Sequence, residues 1–166
     1  SAARRKVEVE GLIGLFLNTL VLRTDLSKDP TFRELLGRVK DEVLGAYHYQ
    51  AIPFERLLEE LQPERQLSRT PIFQVLFNYV SISNLEMGLS GLAVDPIQPA
   101  EVDSKFDFTL YVNELSDSLR FDLVYNADLF DAPRMEDLLA QLESFVEQAL
   151  ERPEEPVGAL SLVTAA

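Results

Sequence analysis

The side chains in this chain that could do acid–base, nucleophilic or metal chemistry are of few kinds. Carboxylates are plentiful, with 28 Asp and Glu against 15 Lys and Arg, but there is a single histidine, His48, and no cysteine. A disulfide framework, a thiolate metal site and a multi-histidine metal centre are therefore excluded. No pair of carboxylates is set apart by its spacing, so a solvated acidic face is their default reading. His48, beside Tyr47, reads as a surface residue at a helix end. Asn18 stands out because its neighbours are apolar: an amide without partners there would cost about 1–3 kcal/mol. It must bond to something, and backbone groups at a strand irregularity are favoured over a role lining a channel. Arg69, ahead of Pro71, has a guanidinium that can tie a loop to carboxylates or carbonyls.

The charge balance narrows the partners. A net charge of −13 repels phosphate backbones and anionic lipid, so neither nucleic acid nor a membrane surface is an expected partner. The one basic cluster, Arg4, Arg5 and Lys6, is followed at once by Glu8 and Glu10. The longest apolar run, residues 12–22, is about half the ~20 residues a membrane helix needs and is interrupted by Asn18 and Thr19. No small-residue cleavage site follows it, so a secretory leader is not expected. A soluble protein of a reducing, cytoplasmic compartment is the expectation.

These residues must be positioned by strands and helices, and the hydrophobic pattern predicts both. Residues 11–23 read as strand and tight loop, punctuated by Gly11 and Gly14. A helix follows, with Asp29 as cap, Pro30 in the first helical position and apolar residues from Phe32 to Leu44 recurring at three and four; Gly45 ends or frays it. A second helix starts at Pro53 and is stopped by Pro63, with Phe54, Leu57, Leu58 and Leu61 on one face. Residues 72–80, apolar on both faces and rich in β-branched and aromatic types, predict a central strand buried on two sides. Residues 88–98 predict a short edge strand. Alternating runs around Phe108 to Val112 and Leu119 to Tyr125, joined by Ser116-Asp117-Ser118, predict a hairpin. The last helix, capped by Asp131 with Pro133 in its first turn, runs to Leu150, with Leu138, Leu142 and Phe145 expected to be buried with Phe77. A proline-rich stretch from Glu151 reads as a linker. The expected class is α/β: one domain built as a mixed β-sheet covered by helices.

Several phrases carry a family resemblance. Ile13-Gly14-Leu15-Phe16-Leu17-Asn18-Thr19-Leu20, continuing to Arg23, resembles the Gly-x-Phe-Val-Asn-Thr…Arg motif of the condensation domains of nonribosomal peptide synthetases. Tyr49-Gln50-Ala51-Ile52-Pro53-Phe54-Glu55 is similar to their His/Asn-Gln-Asp-x-Pro-Phe-Glu motif, with Tyr49 and Ala51 departing from it. Leu67-Ser68-Arg69-Thr70-Pro71-Ile72-Phe73-Gln74 resembles their Arg-Asp-x-Ser-Arg-Asn-Pro-Leu motif. Lys105-Phe106-Asp107-Phe108-Thr109-Leu110 looks like a further family phrase, and Pro156-Val157-Gly158 through Thr164 resembles the linker into an adenylation domain. The phrases occur in the family's order and spacing along nearly the whole chain.

The resemblance implies a chloramphenicol acetyltransferase-like fold, of which this chain would be part of the carboxyl-terminal lobe: residues 1–152 as domain and 153–166 as the start of the linker. It implies amide-bond formation between acyl and aminoacyl thioesters carried on phosphopantetheine arms, with no cofactor held by the chain itself and no metal. The family's His-His-x-x-x-Asp-Gly motif has no counterpart in a chain with one histidine, so no catalytic residue is assigned here and the fragment alone is expected to be inactive. Arg4 is implied to pair with the Asp of that motif across the lobe interface, bracing the loop that carries the catalytic His. Asn18, Arg23, Pro53, Phe54, Glu55, Ser68, Arg69 and Pro71 are implied channel or structural motif residues. The implied partners are the amino-terminal lobe of the same domain, upstream and downstream carrier proteins and an adjacent adenylation domain. Rival readings are a non-catalytic partner-binding module of the same superfamily, and a related acyltransferase or epimerization domain.

Overall fold

The computed structural model describes residue 8 and residues 11–14, 16–64, 70–81 and 102–163. The chain divides into two compact units, residues 1–65 with 143–163 and residues 66–142 with 164–166. Arg4, Ser68, Arg69 and the strand expected over 88–98 lie outside the described residues.

In the first unit helix α1 runs Phe32–His48. Its cap is Thr31 rather than Asp29: the Thr31 hydroxyl accepts from the Glu34 amide while the Glu34 carboxylate accepts from the Thr31 amide. This reciprocal capping box satisfies two backbone donors with a residue pair spaced as Thr-x-x-Glu. Asp29 is instead left-handed, at φ 47°. Nor does Gly45 end the helix, which continues a further turn to His48. One glycine costs roughly 1 kcal/mol in a helix interior, too little to stop it where Ala46 and Tyr47 continue. Helix α2 spans Phe54–Leu61, opens at Pro53 and closes at Gln62 in the left-handed conformation, within the bounds predicted. Among the described residues of 11–23 no strand forms, and Leu17 makes an isolated bridge. Just beyond it, side-chain bonds hold the chain to α1, Thr24 donating to Glu42 and Arg38 donating to the carbonyls of Asp25 and Ser27.

The second unit holds a mixed three-stranded sheet in the order β1 (Val75–Ser81), β2 (Phe108–Glu114), β3 (Leu119–Tyr125). β1 pairs parallel with β2, Phe77 opposite Leu110, and β2 pairs antiparallel with β3 in the expected hairpin, Leu110 opposite Leu123. The central strand is therefore β2, with Val112, Thr109 and Asn113 buried. β1 is an edge of the described sheet, and Phe77 is 59% exposed. An apolar run reports a strand's composition but not which strand takes the middle place, so the prediction of a β1 buried on both faces fails. Because opposed residues share a face, Val75, Phe77 and Tyr79 lie on the same side as Leu119 and Phe121, all exposed.

Helix α3 runs Ala132–Glu151. Asp131 caps it as predicted, its carboxylate accepting from the Arg134 amide. Its most buried residues are Met135 and Ala149, whereas Leu138, Leu142 and Phe145 are half-buried. Phe145 meets Phe32 edge-on, with ring centroids 6.5 Å apart, while Phe77, expected to be buried with it, is exposed.

Candidate functional site

The amide of Asn18 finds the backbone, as its apolar setting demanded. Its Nδ2 donates to the carbonyl of Gln50 at 2.8 Å and to that of Ile52 at 2.7 Å. Gln50, only 6% exposed, donates through its own side-chain amide to the carbonyl of Tyr47. The Ile52 amide bonds back to the Tyr49 carbonyl, closing the turn between α1 and α2. Asn18 thus holds the Tyr49-Gln50-Ala51-Ile52 turn from one side and Gln50 anchors it to the end of α1 from the other. What this arrangement fixes is the start of α2: Pro53, extended at φ −62° and ψ 146°, then half-buried Phe54, then exposed Glu55 in the first turn, where a carboxylate suits the helix dipole. Two of the phrases singled out in the sequence, one containing Asn18 and the other beginning at Tyr49, are physically one structure. Gln50 was legible inside its phrase, but its burial was not, because a glutamine in a polar turn gives no sequence signal for being enclosed.

A second turn lies in the sheet unit. The Phe73 amide donates to the Pro71 carbonyl two residues back, with Ile72 between them at φ 75°. This is the three-residue turn that L-residues rarely tolerate, and a β-branched residue in it carries strain of about 1–3 kcal/mol. Neighbouring contacts hold it: the Gln74 side-chain amide donates to the Thr70 carbonyl, the Asp107 amide donates to the Gln74 carbonyl, and Phe73 stacks on Phe106 with centroids 5.3 Å apart. Half-buried Pro71 therefore belongs to a braced turn that also gathers the Lys105-Phe106-Asp107-Phe108 phrase.

Arg23 is exposed, and Asp25 is the group it acts on electrostatically. Bonds from the amide and hydroxyl of Ser27, with Arg38 and Arg23 close by, hold the Asp25 carboxyl below the usual carboxylate range. On the sheet, the hydroxyl of Tyr79 bonds to Glu114, whose carboxylate pushes the phenol up from its ordinary value. Asn113 donates to Asp122, which Arg120 also holds at 2.9 Å. His48 lies exposed in the last turn of α1, its ring edge-to-face with Tyr49 at 4.8 Å. Among the described residues no group of three or more His, Asp and Glu could hold a metal ion, and no helix is long and apolar enough to cross a membrane. This geometry braces loops and orders helix starts.

The family model described as Condensation domain matches residues 1–166. One of the linear gramicidin synthase proteins of Brevibacillus parabrevis is 41% identical over 165 residues, covering 98% of this chain and 2% of that protein. Chondramide synthase cmdD of Chondromyces crocatus is 39% identical over 164 residues, covering 99% of this chain and 4% of that protein. The chain thus spans a small part of the curated relatives it matches. Among solved structures, holo-AB3403, a four-domain nonribosomal peptide synthetase bound to AMP and glycine, superposes with a TM-score of 0.86 at 21% identity, over 99% of this chain and 14% of that one. That likeness carries the fold, a mixed sheet with helices of the chloramphenicol acetyltransferase-like class, as the resemblance implied.

Proposed function

Because the chain belongs to the condensation-domain family, we propose that it is the carboxyl-terminal part of a condensation domain that forms amide bonds in nonribosomal peptide synthesis. The amine of an acceptor aminoacyl thioester attacks the carbonyl carbon of an upstream acyl thioester. A C–N bond forms, the C–S bond breaks, and the amine proton ends on the departing thiol of the upstream arm. Both substrates arrive on phosphopantetheine arms of carrier proteins, and none is held by this chain. Such a reaction needs a polar group that orients or deprotonates the amine. The family's paired-histidine motif supplies it from residues outside this chain, for the single histidine here sits exposed at a helix end.

The chain's own part is positional. Asn18 and Gln50 set the start of α2, so that Pro53, Phe54 and Glu55 are presented in fixed register. Pro71 keeps the second turn closed, and Arg23, Ser68 and Arg69 are further channel or structural motif residues. Arg4 braces the catalytic loop through the Asp of its motif. The remaining lobe of the domain, the two carrier proteins and an adenylation domain reached through the stretch after residue 152 are the partners, in the cytoplasm. The observation that carries this reading is the family match along residues 1–166, together with the Asn18 bonds that join two of the family's phrases into one turn.

The test uses the full-length protein with both carrier proteins loaded, following acyl transfer by mass spectrometry of the carrier-bound thioesters. A dipeptidyl thioester on the downstream carrier is expected. Intact loaded carriers that bind but yield no product would overturn the reading and leave a partner-binding module of the same superfamily.

A further inference from the structure

The proline-rich stretch that reads as a linker is tied into the fold at both ends. At its start, the Pro153 carbonyl accepts from the Arg33 amide at 3.0 Å, one of the first-turn donors of α1 that has no partner within the helix, and Glu154 pairs with the Arg33 side chain. In its middle, Pro156 bridges Thr31, the Val157 amide donates to the Pro30 carbonyl at 2.9 Å, and the Gly158 amide donates to the Asp29 carboxylate at 2.9 Å. Pro30 is fully buried beneath these bonds. At its end Leu160 is buried, and the Gln148 side chain both donates to the Ser161 carbonyl and accepts from the Ser161 amide.

From this geometry we propose that residues 153–160 are a structural strap of the domain, locked by Asp29, and that the domain boundary falls after Ser161 rather than after residue 152. Two consecutive non-glycine residues, Lys28 and Asp29, sit at φ 69° and 47°. Such conformations cost free energy and persist where the surroundings over-determine them; here they aim the Asp29 carboxylate at the strap. Gly158 is the matching half of the lock. A Cβ at that position would stand 2.7 Å from Asp29 Oδ1, so a side chain there would push the carboxylate from its present place on the amide. The consequence is mechanical: chain that follows the strap leaves from a fixed point beside the α1 amino terminus, not from a swivel at the end of α3.

Hydrogen exchange of the full-length protein, resolved by mass spectrometry over residues 153–163, tests this. The strap amides are expected to be protected in the wild type as well as the last turn of α3 is. Asp29→Gly removes the acceptor while accepting the left-handed φ, and should raise strap exchange about tenfold with the β2–β3 hairpin unchanged. Gly158→Ala should do the same. Asp29→Asn keeps both an acceptor oxygen and tolerance of that φ, so it should stay near the wild type. Loss of protection throughout in Asp29→Gly would make the strap part of the cooperative fold, the same conclusion in a stronger form. Strap amides exchanging at the free-peptide rate in the wild type, or an Asp29→Gly variant indistinguishable from it, would overturn the proposal.

Discussion

Asn18→Asp exchanges one nitrogen for oxygen, and the structure says what that should do. Nδ2 makes two bonds to carbonyls, at 2.8 and 2.7 Å, one of them partly buried. At about 0.5–1.5 kcal/mol net for each bond, their loss costs about 1–3 kcal/mol, which is the expectation for Asn18→Ala. The carboxylate goes further, because it turns an acceptor toward two other acceptors, so Asn18→Asp should lie at or beyond the upper end of that range. Those carbonyl dipoles disfavour the charged form and so raise the folded pKa of the introduced carboxyl above its ordinary value of about 3.9. With the folded value above the unfolded one, the folded state binds more protons in between, and stability falls as pH rises through that window. The deficit should therefore be smaller at about pH 4 than at about pH 7. Urea unfolding of wild type, Asn18→Ala and Asn18→Asp at both pH values, with slopes compared to confirm the same transition, gives the ordering. An Asn18→Asp variant within about 0.5 kcal/mol of wild type at neutral pH, the usual surface range, would refute the claim that Asn18 holds the α1–α2 turn.

Met135→Ala, at a position only 4% exposed, should cost about 2–5 kcal/mol by chemical denaturation, whereas Leu142→Ala, half-buried, should cost less. The Asp25 carboxyl should titrate by NMR below 3.8, and Ser27→Ala should move its midpoint up by removing the hydroxyl bond. Because its folded value is depressed, the stabilisation from Asp25 is present above the unfolded value and is lost as pH falls through the folded one. Arg4→Ala should slow condensation by the full-length enzyme while leaving the unfolding midpoint of this chain unchanged, with partial recovery in Arg4→Lys, since an ammonium lacks the two-pronged contact with a carboxylate; full turnover in Arg4→Ala would return Arg4 to an ordinary surface charge.

What could be foreseen in the residues divides along a physical line. Features governed by neighbours in sequence were legible: the Asp131 cap, the β2–β3 hairpin and helix α2 opening at Pro53 all depend on a few adjacent residues. At α1 the cap expected at Asp29 is Thr31, for Thr31 with Glu34 satisfies two donors reciprocally while Asp29 is drawn away to Gly158, a residue 129 positions on. The position of β1 at an edge of the described sheet, the enclosure of Gln50 and the left-handed Ile72 depend on what packs against them from distant parts of the chain, and no local pattern encodes that. The need of Asn18 for partners was deducible from solvation alone, but their identity was not. The functional reading came from phrase resemblance, which transmits family history more readily than geometry.

The apolar row formed by Val75, Phe77, Tyr79, Leu119 and Phe121 has a calorimetric consequence. Heat capacity rises on unfolding because apolar surface becomes hydrated, ordinarily by about 12–15 cal/mol/K per residue, or roughly 2.0–2.5 kcal/mol/K for a chain of this length. Surface that is already wet in the native state adds nothing to that difference. With those residues already 37–59% exposed before unfolding begins, the chain's stability curve should be somewhat flatter than its length suggests, with a shallower maximum and a weaker response to cooling. Covering the row with any apolar partner would restore the missing curvature, so the heat capacity of unfolding is itself a gauge of whether this face is occupied.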